Sequence, residues 1–278
     1  MKYIYTILLC WGLAMQSFAQ QDSTAKSSLT LAAVYGNTAN YFGQTTAEKL
    51  PYILSYGAYK LKGGLYVSAS ALTLFNSSNG VSAIDLSAGY GFNLLKNVEG
   101  SVSYTRSFYQ KDSPLLQTSN ENNLNGELSF THLFKSSLSA DYAFGTQNDA
   151  FISFSNSKLI DLGSLFSDKD FISLEPSIGI IAGSQHFYQT YTTEKQLRKK
   201  FLDDLLFPGR PPEPETTTTT IESTDFDLMA YTLSLPLAYN RTNYSIEASY
   251  QAILASKKIA GASDKPVSIF NLSFYYMF

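Results

Sequence analysis

Five carboxylates stand at positions where alternating segments otherwise carry small polar residues. Asp85, Glu127, Asp141, Glu175 and Glu247 each have a serine two residues away, at 87, 129, 139, 177 and 249. In a β-strand every second side chain shares a face. Each carboxylate therefore lies on the face opposite an apolar one. If the apolar faces of these segments all turn outward, the five carboxylates gather inside, where they would attract cations. The competing reading is a filled interior, in which they bond to Ser, Thr and Tyr and some stay protonated through crowding and desolvation. Basic residues do not share these mid-segment positions. Arg106 falls with Tyr104 and Phe108, while Lys49 and Lys257 would point inward only near the outer ends of their segments.

Other chemistry is sparse. There are two histidines. His132 shares a face with Phe130 and Phe134 and reads as an interfacial residue. His186 precedes Phe187 and Tyr188 and reads as part of an aromatic belt. Neither has a persuasive Ser or Asp partner in sequence for nucleophilic catalysis. No phosphate-binding loop, paired-histidine metal motif or nucleophile elbow occurs, and Asp168 and Asp170 around Lys169 only superficially resemble a cation loop. The expectation is no catalytic, cofactor-binding or metal residue, and no enzyme.

The elements that must position the carboxylates are strands. Period-2 segments bounded by turn residues run over 28–36, 50–61, 65–75, 81–95, 98–109, 123–134, 138–145, 150–155, 171–191, 225–239, 244–256 and 267–278. The segment over 50–61 alternates Tyr52, Leu54, Tyr56 and Ala58; that over 81–95 alternates Ile84, Leu86, Ala88, Tyr90 and Phe92. In the last, Phe270, Leu272, Phe274, Tyr276 and Phe278 share one face, and Asn271, Ser273, Tyr275 and Met277 the other. An apolar face of this kind on a soluble protein would be a sticky edge; in a membrane barrel it meets lipid.

Twelve segments form an even set, as bacterial barrels require. Short turns at 62–64, 96–97, 135–137 and 240–243 then all fall on the periplasmic side. That agreement needs 150–155 to be a strand in its own right. The fold class expected is therefore all-β, an antiparallel transmembrane β-barrel of about twelve strands, with ten or fourteen as alternatives. The same count puts 192–224 outside the cell. That stretch holds Leu197, Phe201 and Leu205 at helical spacing, then a Pro- and Thr-rich run; it is either a solvated loop or a helix folding over the mouth or onto a protein partner.

Composition agrees. Charged residues are 15% and aromatics 14% of the chain, with 20 Tyr and 19 Phe, which suits lipid outside and polar filling inside. Residues 1–19 read as a secretory signal: Lys2, an apolar run from Ile4 to Met15, and Ser17-Phe18-Ala19 at the cleavage position. The run is too short to span a bilayer, which takes about 20 apolar residues. Cleavage would remove Cys10, the only cysteine, and with it thiol chemistry. It would also remove Lys2, taking the formal charge from −3 to −4, with no basic footprint for nucleic acid. Residues 20–27 would form a short periplasmic segment and 28–278 the barrel.

Signal, amphipathic strands and the Phe270–Phe278 pattern together resemble a bacterial outer-membrane β-barrel protein, and the tyrosine-rich strands with small glycine turns resemble those of Bacteroidota-type bacteria. The resemblance implies residence in the outer membrane of a Gram-negative cell, contact with its lipid, and recognition of the final strand by the barrel-assembly machinery. It implies no functional residue. Three function classes stay open: a small cation-favouring diffusion channel; a non-conducting structural or accessory barrel of a secretion or surface complex, with 192–224 as its contact; and an outer-membrane hydrolase, against which the two histidines argue.

Overall fold

The computed structural model describes residues 26–46, 49–75, 80–110, 113–115, 120–184, 226–256 and 265–278. The proposed signal peptide, most of segment 20–27, the 192–224 loop, His186 and Lys257 lie outside the described residues.

Sixteen strands are present among the described residues. They are β1 (Ser28–Gly36), β2 (Asn40–Tyr41), β3 (Gln44–Thr45), β4 (Tyr52–Lys60), β5 (Leu65–Leu74), β6 (Val81–Leu95), β7 (Val98–Tyr109) and β8 (Asn122–Thr131). There follow β9 (Lys135–Phe144), β10 (Asn148–Ser157), β11 (Ile160–Gly163), β12 (Asp170–Leu174), β13 (Ser177–Ser184), β14 (Phe226–Arg241), β15 (Tyr244–Ala255) and β16 (Val267–Met277). Each long strand pairs antiparallel with its neighbours, and β16 pairs back onto β1 from Thr30↔Met277 to Gly36↔Asn271. The result is a closed barrel of twelve staves. Closure leaves no unpaired edge among the long strands, which is what a sheet in hydrocarbon requires.

The ninth stave is built from β12 and β13, split at Glu175-Pro176. Pro176 has no N–H to give the ladder. Pro236 of β14 sits across the gap, where its carbonyl accepts from Glu175 N at 3.1 Å. The expected strand over 171–191 is thus two strands. The short one expected at 150–155 is real and runs longer, from Asn148 to Ser157. Residues 135–137, expected as a turn, begin β9, and the turn is His132–Phe134.

The outer face alternates Leu29, Leu31 and Tyr35 on β1, Ile84, Leu86 and Tyr90 on β6, and Phe270, Leu272 and Phe274 on β16, all exposed. Aromatic pairs mark both rims. Near the long-loop end stand Tyr35–Phe75 and Tyr142–Phe144, with ring centroids 6.0 and 5.6 Å apart. Near the short-turn end stand Tyr90–Phe92, Tyr239–Tyr244–Phe274 and Tyr276–Phe278. An apolar band between two aromatic girdles is the signature of a barrel in a bilayer. The protein is an outer-membrane β-barrel, and the short turns face the periplasm.

On β4 the alternating Tyr52, Leu54, Tyr56 and Ala58 face the lumen, whereas Ile53 and Tyr59 are exposed outside. Register decides this: Tyr35 pairs with Ile53 and Leu29 with Tyr59, so the parity of β4 follows that of β1. Both faces of β4 are apolar enough to have gone outward. Hydrophobicity alone could not choose between them.

Candidate functional site

The site is the lumen, and among the described residues the segment that crosses it comes from the first long loop. After β1 the chain does not stay at the rim. Its base is pinned there: Asn37 N donates to Phe270 O at 3.1 Å, Asn37 Oδ1 accepts from Phe270 N at 2.9 Å, and Ala39 N donates to Leu50 O at 2.9 Å. From that base the β2–β3 hairpin turns inward through Phe42 and Gly43, which lie at φ 47° and 82°. Asn40 Oδ1 accepts from Gly43 N at 3.1 Å and closes the turn.

The tip packs against the far wall. Phe42 stacks on Phe151 of β10 with centroids 3.9 Å apart and planes 7° from parallel. Tyr41 meets the same ring edge-on at 5.5 Å. Both pack on the cluster of Ala143, Phe151 and Met229. Ala143 belongs to β9, six staves from β1 in a ring of twelve, so the hairpin crosses the bore. Lumen-facing Gly183 makes room for this contact. A Cβ there would overlap the Phe151 ring and come within 2.8 Å of Met229 Sδ.

A polar knot holds the same tip. Asp149, 1% exposed, accepts from Asn120 Nδ2 at 2.7 Å and from Ser184 Oγ. Asn120 also bonds the Tyr41 phenol, which burial pushes well above its ordinary pKa despite that bond. Residues far apart in sequence, Asn120 before β8 and Ser184 at the end of β13, thereby converge on one carboxylate of β10, and Asn120 ties the first loop to it. Beside it a second apolar cluster, Leu50, Leu74, Ala83 and Leu115, fills the mouth over β4, β5 and β6. Leu115 lies in the expected polar loop 110–122, and it is buried.

Around and below the hairpin the inward face is polar: Asp85 lies toward the outer end of β6 and Asp141 across from Phe151, with Glu127, Glu175 and Glu247 nearer the short turns. Asp85 accepts from Ser70 Oγ at 3.0 Å, Glu127 from Ser129 Oγ at 3.0 Å, and Asp141 from Asn125 Nδ2 at 3.0 Å. Glu175 accepts from Ser157 Oγ at 2.8 Å. Glu247 lies near enough to Glu175 for the two charges to repel. Among the described residues no Lys or Arg side chain pairs with any of these five. Hydroxyls continue between them, as in Ser87–Thr105 at 2.7 Å and Ser129–Ser137 at 2.8 Å. Arg106 is occupied elsewhere, pairing with Glu121 at 2.6 Å and lying over the Phe108 ring.

No protein-family model matches the sequence, and no curated protein matches it. Solved structures do align. KdgM porin covers 90% of this chain and 99% of its own, at 9% identity and a TM-score of 0.46. NanC porin covers 89% and 98%, at 8% and 0.47. An outer-membrane channel from Pseudomonas putida F1 covers 93% and 98%, at 12% and 0.45. Likenesses of this degree carry no residue role over to this chain.

The remaining sequence candidates settle into structural duties. His132 sits in the β8–β9 turn, 3.1 Å from Ser136 Oγ and between the rings of Phe130 and Phe134. Asp170 accepts from the backbone N–H groups of Leu165 and Phe166 and from Tyr239, closing the turn before β12. The residues that sequence reasoning missed are Tyr41, Phe42, Gln44, Asn120, Asp149 and Phe151. A weak local signal existed in Asn40-Tyr-Phe-Gly43, turn residues around two aromatics.

Proposed function

We propose that this protein is a narrow outer-membrane channel that favours cations, lined by Asp85, Glu127, Asp141, Glu175 and Glu247 and constricted outside by the β2–β3 hairpin. The observation that carries this reading is the pairing pattern of the five carboxylates. Among the described residues Asp85, Glu127, Asp141 and Glu175 bond to hydroxyls and an amide, which solvate a carboxylate without cancelling its charge. A plugged structural interior would favour charge-neutral filling or compensated ion pairs. A wall of uncompensated carboxylates instead holds a negative potential along the bore.

A second reading has its own support. The stacked Phe42–Phe151 contact and the buried Asp149 knot seal much of the mouth, as a non-conducting accessory barrel would require. Under that reading the 192–224 segment is the contact with a protein partner. Among the described residues hydrolysis has no comparable support, since His132 sits in a turn among aromatic rings.

Purified protein in planar bilayers under a KCl gradient separates the readings. The channel reading expects discrete conductance steps and a zero-current potential of cation sign. Absence of conductance favours the accessory barrel, and an anion-signed potential contradicts the role given to the carboxylates. The Phe270–Phe278 strand, presented to the barrel-assembly machinery, is proposed as the assembly signal; replacing Phe278 should lower yield in the outer membrane without altering conductance.

A further inference from the structure

We propose that the β2–β3 hairpin, Asn40–Thr45, is a displaceable plug, and that the arrangement described above is its seated state. This rests on the channel reading for its consequence, but the displacement itself does not.

The hairpin is built unlike the wall it touches. Its base is fixed by backbone bonds to β16 and across the loop. Its tip is held by ring contacts, small apolar side chains and the Asn120 amide. Fixed base and noncovalently seated tip together make a pivot.

The seated state also carries two internal costs. Phe42 lies at φ 47°, in the left-handed region, where a bulky residue is uncommon and strained. Gln44, 5% exposed, has neither its amide nitrogen nor its amide oxygen bonded to any described residue. A buried amide left unbonded loses the water contacts it would regain on leaving. Ring stacking and the Asn120–Tyr41 bond favour the seated state; the Gln44 amide and the Phe42 backbone favour release. Opposing terms of similar size are what a two-state element needs.

This balance makes two substitutions act in opposite directions. Gln44→Leu keeps the shape and removes the unbonded amide, so it should shift the ratio of seated to displaced hairpin toward seated by about fivefold or more. Phe42→Ala removes the stacked ring and should shift it about as far toward displaced. A loop that merely packs would show these opposed effects in stability alone, with no change in the access of a reagent to residue 44.

The test reads displacement and conduction separately. In a Cys10→Ser background, Gln44→Cys is embedded in lipid vesicles and exposed from outside to a charged, membrane-impermeant maleimide. The proposal expects slow labelling that accelerates about fivefold or more when Phe42→Ala is added. Labelling at the rate of a fully exposed thiol in the parent, or no acceleration with Phe42→Ala, overturns it. Bilayer recordings of Gln44→Leu and Phe42→Ala should give fewer and more open events than wild type, respectively. If labelling accelerates while Phe42→Ala passes no current, the plug moves and the channel reading is what fails. Heat-modifiable gel mobility identical to wild type shows that each variant retains the folded barrel.

Discussion

The outer and periplasmic halves of the lumen use the same inward parity for opposite ends. Above, inward positions hold Leu74, Ala83, Ala143, Phe151 and Ile253, and the first loop fills the space between them. Below, the same parity holds serines, asparagines and the carboxylates of Glu127 and Glu175, and among the described residues no loop fills the space between them. The difference teaches where stability and selectivity reside. An apolar contact that crosses the bore can be sealed because it excludes water. A carboxylate wall can stay charged only if water or a permeant cation reaches it.

Breaking the outer half should produce the largest effects. Phe151→Ala removes the ring on which Tyr41 and Phe42 rest. It should cost about 3–5 kcal/mol, measured by denaturant unfolding in detergent, and raise bilayer conductance. Asp149→Ala leaves Asn120 and Ser184 without their acceptor. It should cost about 2–3 kcal/mol by the same assay and loosen the hairpin less than the loss of the ring. Comparable losses from substitutions at Ser129 or Ser157, below the hairpin, would erase the contrast between the halves.

Sharpening the comparison from below gives a smaller effect with no stability component. Glu127→Gln with Glu247→Gln should keep the fold and lower the cation-to-anion permeability ratio by about twofold, read from the zero-current potential. The smallest expected effect concerns Tyr41. Its raised pKa means the seated phenol stays neutral where a displaced one ionises. The seated state is therefore fully favoured below the ordinary tyrosine pKa and loses ground as pH rises past about 10. Wild-type conductance should climb above that pH more than that of Tyr41→Phe.

Much of the wall was legible in the sequence because its signal is periodic. The twelve staves, the short turns other than the one expected at 135–137, and the outward face of β16 follow from alternation and an even count. The strand at Asn148–Ser157 was required by that count before any pairing was seen. Where alternation is ambiguous the reading failed: β4 is apolar on both faces, and only its register with β1 turns Tyr52, Leu54 and Tyr56 inward. The hairpin was illegible for a different reason. Asn40–Thr45 is too short for a period, and its partners, Ala143, Phe151 and Met229, are distant in sequence. Nothing local announces that a loop will turn into the bore rather than over the rim. Asp149 was likewise hidden, since its partners Asn120 and Ser184 come from separate strand ends.

The central claim is that an acidic bore lies beneath a plug contributed by the first loop. Its most direct test is the zero-current potential and unitary conductance of a variant in which residues 40–45 are replaced by two glycines, recorded beside wild type under one KCl gradient. The account predicts larger unitary conductance than wild type, with cation preference retained. Conductance that is absent, unchanged in size or anion-selective would contradict it.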